Sequence, residues 1–161
     1  MTLIKSISGI RGTIGGKVSD NLTPVDAVKF ASAYGTWLKN SLGKDNKLLK
    51  VVVGRDARIS GPMTHNLVVN TLIGLGIDVV DLGLSTTPTV EVAVPLESAD
   101  GGIILTASHN PKQWNALKLL NAKGEFLSGK EGELILEIAE SEAFDFSDVD
   151  NLGEITQNDA Y

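Results

Sequence analysis

Apolar residues in this chain fall into two patterns that take turns: short unbroken runs, and positions spaced three or four apart. Thr23 and Pro24 form a helix start, and Val25, Val28, Ala31, Tyr34, Leu38 and Leu42 then recur at helical spacing until Gly43. This predicts an amphipathic helix of about five turns. Leu48-Leu49-Lys50-Val51-Val52-Val53 is an apolar run broken only by Lys50 that stops at Gly54, as expected of a buried strand. Ser60 and Pro62 open a second helix through Leu67, Val68, Leu72 and Ile73, and Ile77 to Leu82 is the next strand. Thr87 and Pro88 introduce a short helix through Val90, Val92 and Val94 that should end before Pro95. Gly101-Gly102-Ile103-Ile104-Leu105 is a strand, Lys118 to Leu120 a short returning strand, and Gly132 to Ala139 a helix with Leu134, Ile135 and Ile138 on one side. Beyond Phe146 the pattern dissolves.

Strands alternating with helices imply right-handed crossovers and a sheet covered on both faces. The expected class is α/β, a three-layer α/β/α sandwich on a mostly parallel, mixed sheet of about four strands. In such sheets ligands bind at the carboxyl ends of the strands. That rule gathers three loops on one edge: Gly54 to Arg58, Leu84 to Pro88, and Thr106 to Pro111.

Composition narrows the picture. At 161 residues and 42% apolar content the chain can bury a substantial core as one domain. It has no cysteine, so disulfides and thiolate metal sites are excluded and a reducing compartment is the natural setting. The first residues lack a signal-peptide pattern and no run is long enough to span a membrane, so a cytoplasmic protein without membrane association is expected. The net charge of -6 is unevenly spread: residues 1–124 hold 13 Lys and Arg against 9 Asp and Glu, whereas residues 125–161 hold 1 against 11. The mildly basic body suits a small anionic ligand, and the acidic part reads as a solvated helix face and tail. With 5% aromatic residues and no basic stripe, nucleic acid is not an expected partner.

The richest chemistry lies in Thr106-Ala107-Ser108-His109-Asn110-Pro111, which sets a hydroxyl beside a titratable ring directly after a buried strand. Pro111 removes a backbone donor and biases Asn110 away from helix, so the loop stays open and presents its side chains. A serine hydrolase would need a triad. His109 adjoins Ser108 in sequence, successive side chains diverge on an extended chain, and no Gly-x-Ser-x-Gly elbow is present. A phosphosugar-binding or interaction module would keep the arginines without needing Ser108. Arg55 and Arg58 flank Asp56 and could contact ligand or pin the strand-to-helix turn through an Arg–Asp pair. His65, inside the second helix, reads as structural or exposed. Gly9 and Gly12 indicate a tight backbone around Arg11, which places its side chain.

Ser8-Gly9-Ile10-Arg11-Gly12, Gly54-Arg55-Asp56-Ala57-Arg58 and Thr106 to Pro111 together resemble the first domain of the α-D-phosphohexomutases, in the family's order and over roughly residues 3–142. The resemblance implies an isomerase-class phosphotransferase that moves a phosphoryl group between the 1- and 6-positions of a hexose phosphate of glucose, mannose or glucosamine type. It makes Ser108 a phosphoryl carrier and a hexose 1,6-bisphosphate the intermediate and activator. Phosphoryl transfer depends on positioning and on cations that neutralise the equatorial oxygens. Matched residue by residue, His109 and Lys118 lie beside the phosphoryl group, with Lys118 a candidate base, and Arg11 is a phosphate-binding guanidinium. Ser8, Asn110 and Arg55 complete the candidate substrate- and phosphate-binding set.

Family members are normally four-domain enzymes. Residues 1–142 are therefore expected to be the first domain and 143–161 an acidic linker toward a second, with the remaining domains as partners and the isolated piece inactive. The family binds Mg²⁺ through a phosphoserine oxygen, here on Ser108, and through aspartates of an absent domain; one seryl phosphate alone would hold it weakly. One position departs from the family pattern: Asn115-Ala116-Leu117-Lys118 has Ala116 where many members have glycine, so the turn before Lys118 is expected to be shaped differently. Trp114, just before it, could pack over the loop as a lid or anchor it to the core.

Overall fold

A computed structural model describes residues 1–6, 9–42 and 48–161. Ser8 and the expected helix stop Gly43 lie outside the described residues. The elements, in chain order, are β1 (Ile4–Ser6), β2 (Gly9–Thr13), α1 (Pro24–Leu42), β3 (Lys50–Arg55), α2 (Gly61–Gly74), β4 (Asp78–Leu84), α3 (Thr87–Leu96), β5 (Gly101–Leu105), β6 (Trp114–Leu120), α4 (Gly129–Ser141), a 3₁₀ turn at Val149–Asn151, and β7 (Ile155–Gln157).

The strands form one mixed sheet in the order β1-β2-β6-β5-β3-β4-β7. Pairs β5–β3, β3–β4 and β4–β7 are parallel, and β1–β2, β2–β6 and β6–β5 antiparallel. The sheet thus has seven strands and not about four. The three additional ones carry weak signals: β1 and β7 are three residues each with every side chain exposed, and β2 contains two glycines in five residues. The strand expected at Lys118 begins already at Trp114, and Pro95 lies within the last turn of α3 instead of ending it.

Period-two alternation distributes the strand side chains between two cores. Val51, Val53, Ile103, Leu105, Leu117 and Leu119 join the larger core under α1, α2 and α4. Val52, Ile104 and Leu120 join the smaller one with Val90 and Val94 of α3. Each such aliphatic residue contributes roughly 1.5–3 kcal/mol by leaving water. Three helices therefore cover one face, while α3 packs over β3 and β5 on the other. The phase of α1 differs from the expected stripe. Phe30, Ala31, Tyr34, Trp37 and Leu38 are buried, whereas Val25 and Leu42 are exposed at its two ends.

The start of α1 shows why its sequence folds locally. Asp26 N–H donates to Thr23 Oγ1, and the Asp26 carboxylate accepts from Thr23 N–H at 3.1 Å and from Ser19 N–H at 3.0 Å. This is a reciprocal cap ahead of a proline whose missing N–H costs nothing in the first turn.

Candidate phosphoryl-transfer site

Ser108 stands where β5 runs out, exposed and at φ +55°, in the left-handed region. For a residue with a Cβ that conformation costs on the order of 1 kcal/mol and persists only when its surroundings impose it. They do so through hydrogen bonds. Asn110 N–H donates to the Ala107 carbonyl at 3.1 Å and closes the turn. Ser108 N–H donates to Thr106 Oγ1 at 3.2 Å, and Thr106 Oγ1 donates to Asp56 Oδ2 at 2.6 Å.

Arg58 reaches the same loop from the end of β3. Its Nε donates to Asp56 Oδ2 at 3.2 Å, Nη1 to the carbonyls of Pro111 at 2.7 Å and Trp114 at 3.1 Å, and Nη2 to those of Ser108 at 2.9 Å and Asn110 at 2.8 Å. An Arg–Asp pair pinning the turn is one of the two roles open to these residues from the sequence. The grip of Arg58 on three carbonyls of the serine loop and that of Trp114 at the start of β6 is not visible there, because residues some fifty positions away supply the acceptors. Arg55 donates to the Asp56 carbonyl at 3.1 Å and lies against Gly61 at the start of α2.

Arg11 and Lys118 lie on the neighbouring strands β2 and β6. In the antiparallel β2–β6 ladder Arg11 sits opposite Ala116, and Gly9 opposite Lys118. Ile10, Leu117 and Leu119 enter the larger core, so Arg11, Ala116 and Lys118 face the opposite way, beside the stretch that α3 covers. There they line an open pocket of about 290 Å³ with Ser6, Gly9 and Ile10. Gly9 is required by close approach: a Cβ would run into the Leu117 carbonyl oxygen. The Thr106 N–H donates to the Ala116 carbonyl at 3.2 Å, and the Asp56 N–H to that of Leu105 at 3.1 Å. Arg11 of β2, Ala116 of β6, and Thr106 and Asp56 one residue past the ends of β5 and β3 thus form one row, with Ser108 and the exposed His109 following Thr106 in the chain.

The stretch before Lys118, expected to be a turn, lies within strand β6. Ala116 is a buried residue within β6, and its backbone is not among those with positive φ, so the strand accepts its methyl group without a turn. Asn115 is also buried, giving Nδ2 to Ser60 Oγ at 2.9 Å and accepting from Ala116 N–H at 2.8 Å. Trp114 is half-buried and opens β6 opposite Thr13.

Elsewhere on this edge His65 Nε2 lies 2.9 Å from Asp81 Oδ1, tying α2 to β4 in the structural role expected of it. Burial alone would raise the Asp81 carboxyl, but the hydrogen bonds from His65 and the Gly83 N–H and the nearby charges of His65 and Arg55 hold it below its ordinary 3.8. Among the described residues, no three or more His, Asp or Glu side chains are grouped to hold a metal ion. Magnesium's preference for six hard oxygens is not met by these side chains by themselves.

The class these observations define is a three-layer α/β/α domain with an exposed serine in a left-handed turn at the end of β5 and an open pocket lined by Arg11 and Lys118. A sequence model described as phosphoglucomutase/phosphomannomutase, alpha/beta/alpha domain I, matches residues 3–146, and the chain belongs to that family as its first domain. It is 38% identical over 150 residues to the phosphoglucomutase/phosphomannomutase of Thermococcus kodakarensis, covering 92% of this chain and 32% of that protein. It is 38% identical over 144 residues to the phosphoglucosamine mutase of Pediococcus pentosaceus, covering 89% and 29%. A solved phosphoglucomutase/phosphomannomutase family protein from Burkholderia thailandensis superposes with a TM-score of 0.78 at 26% identity, over 97% of this chain and 33% of that one. The chain spans about a third of the length of these relatives.

Proposed function

We propose that this chain is the serine-bearing domain of a phosphohexomutase, in which Ser108 carries a phosphoryl group to and from a hexose phosphate. The observation that carries the reading is the exposed, left-handed Ser108 at the end of β5, two residues beyond Thr106, whose N–H is hydrogen-bonded to Ala116 of the Arg11–Lys118 pocket. In the forward half-reaction the bond from phosphorus to Ser108 Oγ breaks and a bond to the sugar hydroxyl oxygen forms, the hydroxyl's proton passing through a base, for which Lys118 is the candidate, and a proton being returned to the departing serine oxygen. Arg11 offers a planar guanidinium suited to bidentate contact with phosphate oxygens, and His109 a hydrogen bond to the same group. Asn110, Ser8 and Arg55 remain candidates for substrate contact. The second half-reaction returns a phosphoryl group from the 1,6-bisphosphate to Ser108.

Mg²⁺ belongs to this reading as a charge that neutralises phosphoryl oxygens when bound. This chain would supply one ligand, a phosphoryl oxygen on Ser108, with the others from further domains reached through residues 143–161. The substrate is a hexose phosphate, and the setting cytoplasmic.

The test is intact-mass and peptide mapping of the full-length protein purified without phosphatase. A phosphoryl group on Ser108 that exchanges with labelled hexose phosphate is expected, and Ser108→Ala should lower turnover on the order of 10³-fold or more. Near wild-type turnover by Ser108→Ala would refute the reading.

A further inference from the structure

We propose that Arg58, Asp56 and Thr106 are positioning residues whose joint task is to hold Ser108 in its left-handed conformation and so aim its oxygen. The proposal rests on Ser108 as the phosphoryl carrier. A guanidinium has five N–H donors in a rigid fork, and the five contacts made by Arg58 match that number: Asp56 Oδ2 and the carbonyls of Ser108, Asn110, Pro111 and Trp114. Engaged in this way, Arg58 is a brace and not a phosphate ligand. Its side chain is 12% exposed; the contacts to Asp56, Asn110 and Trp114 are part-buried, while those to Ser108 and Pro111 lie at the surface.

The second support runs in the opposite direction. Asp56 Oδ2 accepts from both Arg58 Nε and Thr106 Oγ1, which directs the Thr106 lone pairs toward the Ser108 N–H. Asp56 Oδ1 accepts from the Arg58 N–H at 3.2 Å, and the Asp56 N–H is held by Leu105, so the carboxylate itself has little freedom. The N–H and C=O of Ser108 are thereby fixed from one anchor at the end of β3. Both peptide groups flanking the serine are clamped, which is what a φ of +55° on a residue with a Cβ requires.

The experiment uses the full-length protein and compares Arg58→Lys, Thr106→Val and Thr106→Ser, with kcat, KM, thermal midpoint and Ser108 phosphorylation measured for each. Lysine keeps the charge but has three donors on a flexible stem, so Arg58→Lys should lower kcat about 100-fold with KM within about twofold. Thr106→Val should lower kcat about tenfold, and Thr106→Ser, which restores the hydroxyl, should return it to within about twofold of wild type. Should Arg58→Lys fail to fold, the threonine pair alone decides. Equal impairment of Thr106→Val and Thr106→Ser, full activity of Thr106→Val, or a rise in KM at unchanged kcat in Arg58→Lys would overturn the proposal. Should wild-type Ser108 take up no label from hexose phosphate, the carrier reading fails instead, which separates the two.

Discussion

Tyr34 shows how one side chain can join a helix to the sheet. Its hydroxyl is fully buried, accepts from the Gly102 N–H at 3.0 Å and donates to the Leu120 carbonyl at 2.5 Å, bridging β5 and β6 from the side of the larger core. Burial pushes the phenol far above its ordinary value, so it remains a donor throughout the accessible pH range. Tyr34→Phe is expected to cost about 1–3 kcal/mol, read from urea denaturation, because the Gly102 N–H then has to be buried without this acceptor. The neighbouring glycine is explained by the same ring. A Cβ on Gly101 would run into the Tyr34 hydroxyl, which is why the strand begins with a residue lacking one. Helical spacing marked Tyr34 as apolar-facing; the polar duty of its tip depends on contacts 68 and 86 residues away.

At the scale of elements, two attachments can be tested. Helix α4 begins with a full capping box, in which Ser128 Oγ accepts from the Glu131 N–H and Glu131 returns a carboxylate to the Ser128 N–H. Ser128→Ala should cost about 1 kcal/mol by thermal or urea unfolding, with Leu127 and Ile135 keeping the helix docked. The link between α2 and β4 depends on pH. Because the Asp81 carboxyl is lower in the folded chain than its ordinary 3.8, it binds protons less readily there than when unfolded. Its contribution to stability is therefore present above about 4 and is lost as pH falls through the lowered value. His65→Gln, which removes the charge and weakens that lowering, should flatten the loss of stability on acidification below pH 4, measured by urea midpoints across pH 2 to 6. Element existence and order from α1 to α4 were legible in the chain because long periodic segments and proline-marked starts are local signals. The seven-stranded extent was not: β1, β2 and β7 are short, exposed or glycine-rich, and their pairing partners alone make them strands.

The whole molecule depends on segments at both ends of the described chain. Residues after α4 return to the sheet. Ser147 N–H donates to Gly74, Gly153 N–H to Ile73, and β7 pairs with Val79 to Asp81. Asn158 and Tyr161 both donate to Glu97 Oε1 at the end of α3. Deleting residues 147–161 should lower the melting midpoint by on the order of 5 °C, since a few net hydrogen bonds of about 1 kcal/mol each are lost. It should also promote association detectable by size-exclusion chromatography, because the β4 edge is uncovered. The isolated 161-residue chain is expected to give no mutase turnover with Mg²⁺ and a hexose 1,6-bisphosphate, measured by a coupled assay for hexose 6-phosphate.

By itself the sequence determined the α/β class, the proline-marked starts of α1 to α3 and the serine loop, since periodicity, capping residues and an ordered motif are local properties; it misplaced Leu48, which is exposed ahead of β3, and the start of α4, which is Gly129 and not Gly132. It also singled out Arg11, His109 and Lys118, through their positions in or near family-specific stretches. Only the tertiary structure decided that Arg11 and Lys118 share one open face, that Ala116 is an ordinary strand residue, and that Arg58 is engaged by the serine loop. Those outcomes depend on strand register and on carbonyls brought together across more than fifty residues, and hydrogen-bond acceptors on the backbone have no residue type by which a sequence could announce them.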